Sequence, residues 1–365
     1  MKVGFDRTTV IFVIFLLILA GIFGLQRFVQ SQPPIEIQVA VDPLGEKWLQ
    51  AAASAYNDSR TIASGTAPVH VTVIVKDDLD VWRGNPGWNS NDHPQGWIPS
   101  SSVSADLIPS TLSFTAIQPS IARTPLVWGS FNTRVAVITA ADTRPFDWPA
   151  VQEIAAAQRW ENLGETGGNI NMAINWPSSS MAGIGVLLTA AADYGASPDL
   201  ARAQFDDPGF TDWFQPIHDS ILNSQRIGGS PAEAMASRGA TVADYALLPE
   251  VQWLQSLAEL SDDGVTFAYP AYQFVLDFPL LRWNISTLTD AETAALQSFG
   301  NFLVGEQGQA IAIAHGMRPV SGEPPIGAEP FARAESAGIE LAPLYGQPIT
   351  APGRDVVEAI IEMVK

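Results

Sequence analysis

The sequence predicts an α/β fold with two lobes, and three observations support this prediction. The chain has 365 residues, more than one compact domain usually holds. It opens with a strand, a helix and a second strand over residues 35–75, an order typical of a parallel sheet. Residues 169–191 then combine a short strand, a tight turn and a helix that begins in a run of serines.

The residue counts exclude several classes of function. Asp and Glu number 38 against 19 Lys and Arg, so the net charge is -19. Nucleic acids and anionic membrane surfaces bind clustered Lys and Arg, so neither is an expected partner. The chain has no cysteine, which excludes disulfides, thiol catalysis and a lipoprotein anchor. The histidines number 4 and are widely spaced, so we expect neither a metal site nor a cofactor.

The amino-terminal segment reads as a membrane signal. Lys2 and Arg7 precede an apolar run over residues 10–25. Such a run suits either an uncleaved transmembrane helix or the apolar part of a cleaved signal peptide. We expect an anchor over residues 1–30, with its basic end inside and the remainder of the chain outside the cytoplasm.

The elements up to residue 104 form the start of the first sheet. Strand 35–41 leads into a turn that begins at Asp42, and a helix follows with Trp48 and Tyr56 on its apolar face. Residues 68–75 form the second strand. The irregular stretch 82–104 carries three tryptophans, and it either covers a ligand or packs on the body of the protein. Its candidate binding residues are Trp97, Ser100 and Ser101.

The middle of the chain holds the principal candidate site. Strands are expected over 121–130 and 134–139, and Asp147 caps a helix over 147–158. After strand 170–175, the hydroxyls of Ser178, Ser179 and Ser180 can cap a helix. The amides at such a helix start also favour an anion or a polar ligand oxygen. Capping alone and capping with ligand binding both remain open.

The remaining elements alternate between helices and short strands. Strand 241–248 carries Asp244 and Tyr245, and residues 265–270 and 274–281 are also expected as strands. Helices are expected at 212–222, 231–237, 250–260, 289–303, 306–314 and 355–364. The chain lacks a nucleophile elbow, a His-Glu-x-x-His helix and a Walker loop, so we do not expect an enzyme.

Several short stretches carry a resemblance when they are taken in order: 39–48 (VAVDPLGEKW), 124–128 (TPLVW), 175–183 (NWPSSSMAG), 269–270, 277–279, 294–303, 308–309 and 316–319 (GMRP). They resemble stretches of the bacterial extracellular solute-binding proteins of the periplasmic type II family. Residues 96–99 (GWIP) resemble a loop of the variants associated with von Willebrand factor A proteins. The resemblance covers about residues 35–365. Met317 departs from it, because an aromatic residue is usual at that position.

The resemblance implies two α/β lobes joined by two crossing hinge strands. Lobe 1 would hold residues 31–127 and 274–365, lobe 2 would hold 128–273, and the hinge strands would lie near 124–130 and 265–275. Ligand would bind between the lobes at the carboxyl ends of strands. The candidate ligand-binding residues are Ser178, Ser179, Ser180, Trp97, Ser100, Ser101, Asp42, Asp244, Tyr245 and Tyr269.

Two functions follow from the resemblance, and the residues leave a third open. The first is a membrane-tethered solute-binding protein that delivers a small molecule to an ABC permease. The second is the same fold used as a ligand sensor, or as a structural partner of a cell-envelope protein such as a von Willebrand factor A-type protein. A hydrolase of unrecognised type is the third. The serine run suggests an oxyanion ligand, whereas the tryptophans suggest a sugar.

Overall fold

The computed structural model describes residues 14–16, 18, 33–84, 87–89, 92–222, 230–260, 264–342 and 346–363. The predicted membrane anchor over residues 1–30 lies almost entirely outside these ranges. Within them, no helix combines the length and the apolar character that crossing a bilayer requires.

Twelve strands and fourteen α-helices are described in these ranges. The strands are β1 (Ile35–Val41), β2 (Val69–Val75), β3 (Gly96–Ile98), β4 (Phe114–Gln118), β5 (Thr124–Phe131), β6 (Met172–Ala173), β7 (Tyr245–Pro249), β8 (Val265–Ala268), β9 (Tyr272–Gln273), β10 (Val275–Leu276), β11 (Leu280–Trp283) and β12 (Gln347–Pro348). The helices are α1 (Glu46–Asp58), α2 (Asp78–Trp82), α3 (Ser102–Asp106), α4 (Asn132–Ile138), α5 (Trp148–Ala156), α6 (Met181–Gly195), α7 (Arg202–Phe205), α8 (Pro208–Ser220), α9 (Pro231–Arg238), α10 (Glu250–Leu260), α11 (Asp290–Val304), α12 (Glu306–Ala314), α13 (Phe331–Ala334) and α14 (Arg354–Met363).

The first sheet has the order β2-β1-β3-β11-β4, and we call it and its covering helices lobe 1. Strands β2 and β3 flank β1 in parallel, whereas β11 pairs antiparallel with both β3 and β4. Helix α1 packs on β2, and its residues Trp48, Ala52 and Tyr56 repeat at helical spacing and are buried. As in other parallel sheets, the carboxyl ends of β1, β2 and β3 meet at one edge.

The second sheet has the order β10-β5-β7-β6, with β8 also paired to β5, and we call it and its helices lobe 2. Its central helix, α6, is buried at every residue from Met181 to Ala192. Gly183 lets the start of α6 lie against the preceding loop, because a Cβ there would overlap the carbonyl oxygen of Asn175. Any side chain at Gly183 would therefore displace the serine loop.

The chain passes between the two sheets twice. It leaves lobe 1 after β4 and enters β5, and it returns between β10 and β11. Backbone hydrogen bonds between Arg123 and Arg318 add a third connection beside these crossings. The predicted hinge strands near 124–130 and 265–275 lie at or beside these crossings, and their role as a hinge stays a prediction.

Three expectations about individual elements are corrected by the structure. Residues 134–139 belong largely to helix α4 rather than to a strand, and the buried residues Val135 and Ile138 lie one helical turn apart. Strand β4 was not expected. Helix α14 packs on α6 and α7 of lobe 2, although residues 274–365 were expected in lobe 1. The apolar face of α14, with Val357 and Ile360, accounts for this docking.

Candidate functional site

A cleft of about 470 Å³ lies between the two lobes. This volume is in the range usual for small-molecule sites. Its lining residues come from the loop after β1, the loop before α6, and helices α1, α9 and α10: Asp42, Pro43, Leu44, Glu46, Lys47, Ile174, Asn175, Trp176, Ser179, Ser180, Ser230, Pro231, Glu233, Gln252 and Gln255.

The lobe 1 wall is built from polar residues that follow the parallel strands. Asp42 directly follows β1, and its Oδ1 accepts a 3.0 Å hydrogen bond from the Leu44 amide. Asp78 lies just beyond β2, and its Oδ2 accepts from the amide of Ser100 at 2.8 Å and from its hydroxyl at 2.6 Å. Ser104 donates a further bond of 3.0 Å to the same oxygen. The strand order therefore brings two carboxyl groups together behind the cleft.

Burial governs the protonation of this carboxyl pair. Asp42 is 8% exposed and Asp78 is 0% exposed. Burial raises the pKa of Asp42 to about 7, and the nearby Asp77 charge adds to the rise. Burial also raises the pKa of Asp78 well above its ordinary value, with the Asp42 carboxylate as the second cause. The pair is therefore protonated more readily than carboxyl groups in water.

The lobe 2 wall is the serine loop at the start of α6. The hydroxyl of Ser180 caps the helix by accepting a 3.2 Å hydrogen bond from the Ala182 amide. Ser179 donates its hydroxyl to the Trp176 carbonyl oxygen at 3.2 Å. The Ser178 carbonyl oxygen accepts a 2.7 Å hydrogen bond from Nη2 of Arg83, which belongs to lobe 1. The loop thus caps its helix, lines the cleft and bonds to the opposite lobe.

Two amide oxygens on the cleft wall are buried without a hydrogen-bond partner in the described part of the chain. They are Oδ1 of Asn175 and Oε1 of Gln252. A buried acceptor without a donor carries an unmet desolvation cost of about 1–3 kcal/mol. Because both residues line the cleft, a ligand that donates hydrogen bonds can meet that cost.

Of the predicted site residues, Asp42, Ser179 and Ser180 line the cleft. Trp97, which was predicted to bind ligand, does not line the cleft. Its side chain is 0% exposed and packs in the core of lobe 1 against Phe114, with ring centroids 5.2 Å apart. Trp82 and Trp88 also pack on lobe 1, so this stretch follows the packing interpretation.

Four further candidates are held inside the lobes or at the hinge instead of on the cleft wall. Ser100 bonds to Asp78, and the hydroxyl of Ser101 caps α3. Tyr245 is fully buried in lobe 2. Asp244 accepts from Nε of Arg134 at 3.1 Å and from the Asn171 amide at 2.8 Å. The contacts of Ser100, Ser101 and Asp244, and the burial of Tyr245, give these side chains structural roles inside the lobes.

Tyr269 belongs to a buried ion-pair network near the crossing segments. Arg318 and Glu250 have fully buried side chains and form two hydrogen bonds, Nε to Oε2 at 2.6 Å and Nη2 to Oε1 at 2.7 Å. The Tyr269 hydroxyl donates to Oε1 of Glu250 at 2.5 Å and accepts from Nη2 of Arg318 at 3.0 Å. Tyr269 thus links the end of β8 to α10 and the segment after α12.

The sequence did not single out five lining residues that matter for ligand chemistry: Asn175, Trp176, Ser230, Glu233 and Gln252. Asn175 and Trp176 stand beside the predicted serine loop, so their position was a usable signal. The start of α9 was also expected at residue 231. Nothing in a single sequence indicates that α9 and α10 aim these side chains at lobe 1.

Solved structures share this fold. Iron-bound HitA from Pseudomonas aeruginosa superposes with a TM-score of 0.58 and 14% identity, covering 91% of this chain and 98% of its own. The sulfate-binding protein SubI from Mycobacterium tuberculosis H37Rv superposes with a TM-score of 0.53 and 17% identity, covering 88% of this chain and 95% of its own. The periplasmic binding protein AfuA from Actinobacillus pleuropneumoniae, solved with fructose-6-phosphate, superposes with a TM-score of 0.52 and 12% identity. The match covers 90% of this chain and 96% of AfuA.

These similarities confirm the predicted fold class, a mixed α/β fold like that of the periplasmic solute-binding proteins of type II. At such identities the likeness shows the fold alone. No protein-family profile matches the chain, and no curated protein does. The association with von Willebrand factor A proteins stays a prediction.

Proposed function

We propose that this protein is an extracytoplasmic solute-binding protein that captures a small polar molecule between its two lobes. The observation that carries this proposal is the interlobe cleft with its two buried, unpartnered amide oxygens on Asn175 and Gln252. Buried polar groups in native proteins are almost always hydrogen-bonded. A solute bound in the cleft can supply the hydrogen bonds that these two oxygens lack.

The way the chain connects the lobes supports capture by closure. Only short segments join β4 to β5 and β10 to β11, and α14 returns from lobe 1 to dock on lobe 2. Rotation about such segments can open and close a cleft without disturbing either sheet. Solved structures of the same fold include proteins that bind iron and sulfate, which agrees with a binding role.

The cellular setting is part of the proposal. The basic and apolar segment over residues 1–30 would tether the protein to the membrane, with both lobes outside the cytoplasm. An ABC permease would receive the solute from the closed form. In this role the protein binds and releases its ligand without chemical change.

A thermal-shift screen of the full chain in mild detergent tests the proposal. The panel contains sulfate, phosphate, ferric ion, fructose-6-phosphate, neutral sugars, amino acids and organic amines. A ligand at one hundred times its Kd adds about 2.7 kcal/mol to the free energy of unfolding. We expect a saturable rise in Tm with at least one class.

Paired variants decide whether the rise comes from the cleft. The Asn175→Leu/Gln252→Leu variant is expected to lose the rise, because both ligand acceptors are removed. Gln215→Leu, on the exposed side of α8, is expected to keep it. A flat response across every class contradicts the proposal and favours the structural-partner interpretation of this fold.

A further inference from the structure

We propose that the solute is a small organic cation that carries an ammonium group. This inference rests on the proposed function and names the ligand class for the same cleft. It replaces the oxyanion and sugar alternatives that the sequence left open. Three independent features of the cleft wall support it: its charge, the state of its helix ends, and its aromatic and amide groups.

The charged groups on the cleft wall favour a cation. The carboxylates of Glu46 and Glu233 line it beside the buried Asp42 carboxyl group, which takes up a proton near neutral pH, and Lys47 is the ammonium among the lining residues. Lys47 is exposed. Burial lowers the pKa of the His315 imidazole, and the charge of Lys47 is the second cause. A cleft with low-dielectric walls focuses the potential of its carboxylates, which raises the local concentration of cations.

Each helix start at the cleft carries either a capping group or an acidic residue of the chain itself. The Asp42 carboxylate accepts from the Leu44 amide at the start of the turn before α1, and Glu46 stands in the first turn of α1. The Ser180 hydroxyl caps α6. Helix α9 begins with Pro231, which has no N–H, and carries Glu233 in its first turn. Ser230 forms no capping hydrogen bond at the start of α9, so the charge of Glu233 disfavours an oxyanion there, as the charge of Glu46 does at α1.

The remaining polar and aromatic groups suit an ammonium. Trp176 lines the cleft and is half-buried. The face of an indole ring attracts ammonium groups, including quaternary ones. The unpartnered oxygens of Asn175 and Gln252 accept hydrogen bonds, and an ammonium N–H or a ligand hydroxyl can donate them. One wall thus combines a cation-binding ring, two acceptors and a carboxylate.

Isothermal titration of the full chain in mild detergent tests this ligand class. The probes are choline, putrescine and spermidine, with sulfate, phosphate and maltose as the anionic and neutral comparisons. Trp176→Leu and Glu233→Gln are titrated beside matched controls. Trp213→Leu replaces a half-buried tryptophan of α8, and Glu165→Gln replaces an exposed carboxylate of lobe 2, both outside the cleft lining.

We expect at least one ammonium probe to bind. Trp176→Leu and Glu233→Gln should each weaken it by about tenfold, and the two controls should change the Kd by less than about twofold. Binding of sulfate, phosphate or maltose without any ammonium probe would overturn the inference and leave the proposed function standing. Ammonium binding that ignores both cleft variants would also overturn it. Failure of every probe here and in the wider screen would contradict both.

Discussion

The Nη2 group of Arg83 donates a 2.7 Å hydrogen bond to the carbonyl oxygen of Ser178 and so joins the two lobes beside the cleft. Arg83 follows α2 of lobe 1, whereas Ser178 belongs to the loop that caps α6 of lobe 2. We expect the bond to break when the lobes separate, so a solute that holds the lobes together should favour it.

Arg83→Ala should accelerate ligand release. The lost hydrogen bond contributes about 1 kcal/mol to closure, so the dissociation rate should rise about fivefold. Stopped-flow dissociation of the ligand found by the screen measures the rate. Arg333→Ala is the control, because that guanidinium pairs with Glu329 on the surface at 3.5 Å. Equal rates for wild type and Arg83→Ala would show that the bond does not hold the lobes closed.

Asp42 should make stability fall as pH rises. Its pKa is about 7 in the folded state, because it is buried, against an ordinary value of 3.8. Between these values the folded chain holds a proton that the unfolded chain has lost, so the free energy of unfolding decreases with increasing pH. Asp42→Asn keeps an acceptor for the Leu44 amide and cannot ionise. It should be about 4 kcal/mol more stable than wild type at pH 8 and about equal at pH 4.

Urea unfolding at the two pH values measures this difference. Asp58→Asn, at the exposed end of α1, serves as the control and should change stability by less than about 0.5 kcal/mol at both. If the wild type and Asp42→Asn had the same free energy of unfolding at pH 8, burial would not raise the pKa of Asp42 as described.

Ser180 and Ser101 offer a matched pair of helix caps. Each hydroxyl accepts a 3.2 Å hydrogen bond from the amide two residues later, but only Ser180 lines the cleft. Each change to alanine should cost about 1 kcal/mol of folding stability. Only Ser180→Ala should also weaken ligand binding, as measured by titration. Equal effects of both on affinity would mean that Ser180 serves folding alone.

Removing one partner of the Glu250–Arg318 ion pair should destabilise the protein more than replacing both partners. Arg318→Met leaves the Glu250 carboxylate buried without its partner and should reduce the free energy of unfolding by about 3–5 kcal/mol. The double variant Glu250→Gln/Arg318→Met should recover a large part of that loss. Urea unfolding of both single variants and the double variant measures the coupling. Strictly additive losses would contradict it.

The elements with strong end signals were predictable from sequence. Asp147 caps α5 as predicted, and α11 begins within one residue of its predicted start at 289, where Thr289 and Glu292 form a capping box. Residues 134–139 were mistaken for a strand because their apolar residues fit either period. The deciding interactions are distant in sequence: the Arg134 guanidinium stacks on Trp160 and bonds to Asp244, which fixes α4.

The site was predictable only in part, for a related reason. The serine loop carried a local capping signal, and it lines the cleft. Whether a strand side chain is buried depends on what packs against that face of its sheet. In lobe 1 the packed face includes the side chain of Trp97. The contribution of Glu233 and Gln252 depends on how α9 and α10 face lobe 1, a relation between lobes that no local pattern encodes.

Hydrogen exchange with the most stabilising compound of the screen tests the central claim most directly. A solute bound between the lobes should slow amide exchange in two segments from opposite lobes, residues 42–47 and 175–183, at the same ligand concentration. Protection confined to one lobe, or located away from both segments, would contradict capture in this cleft.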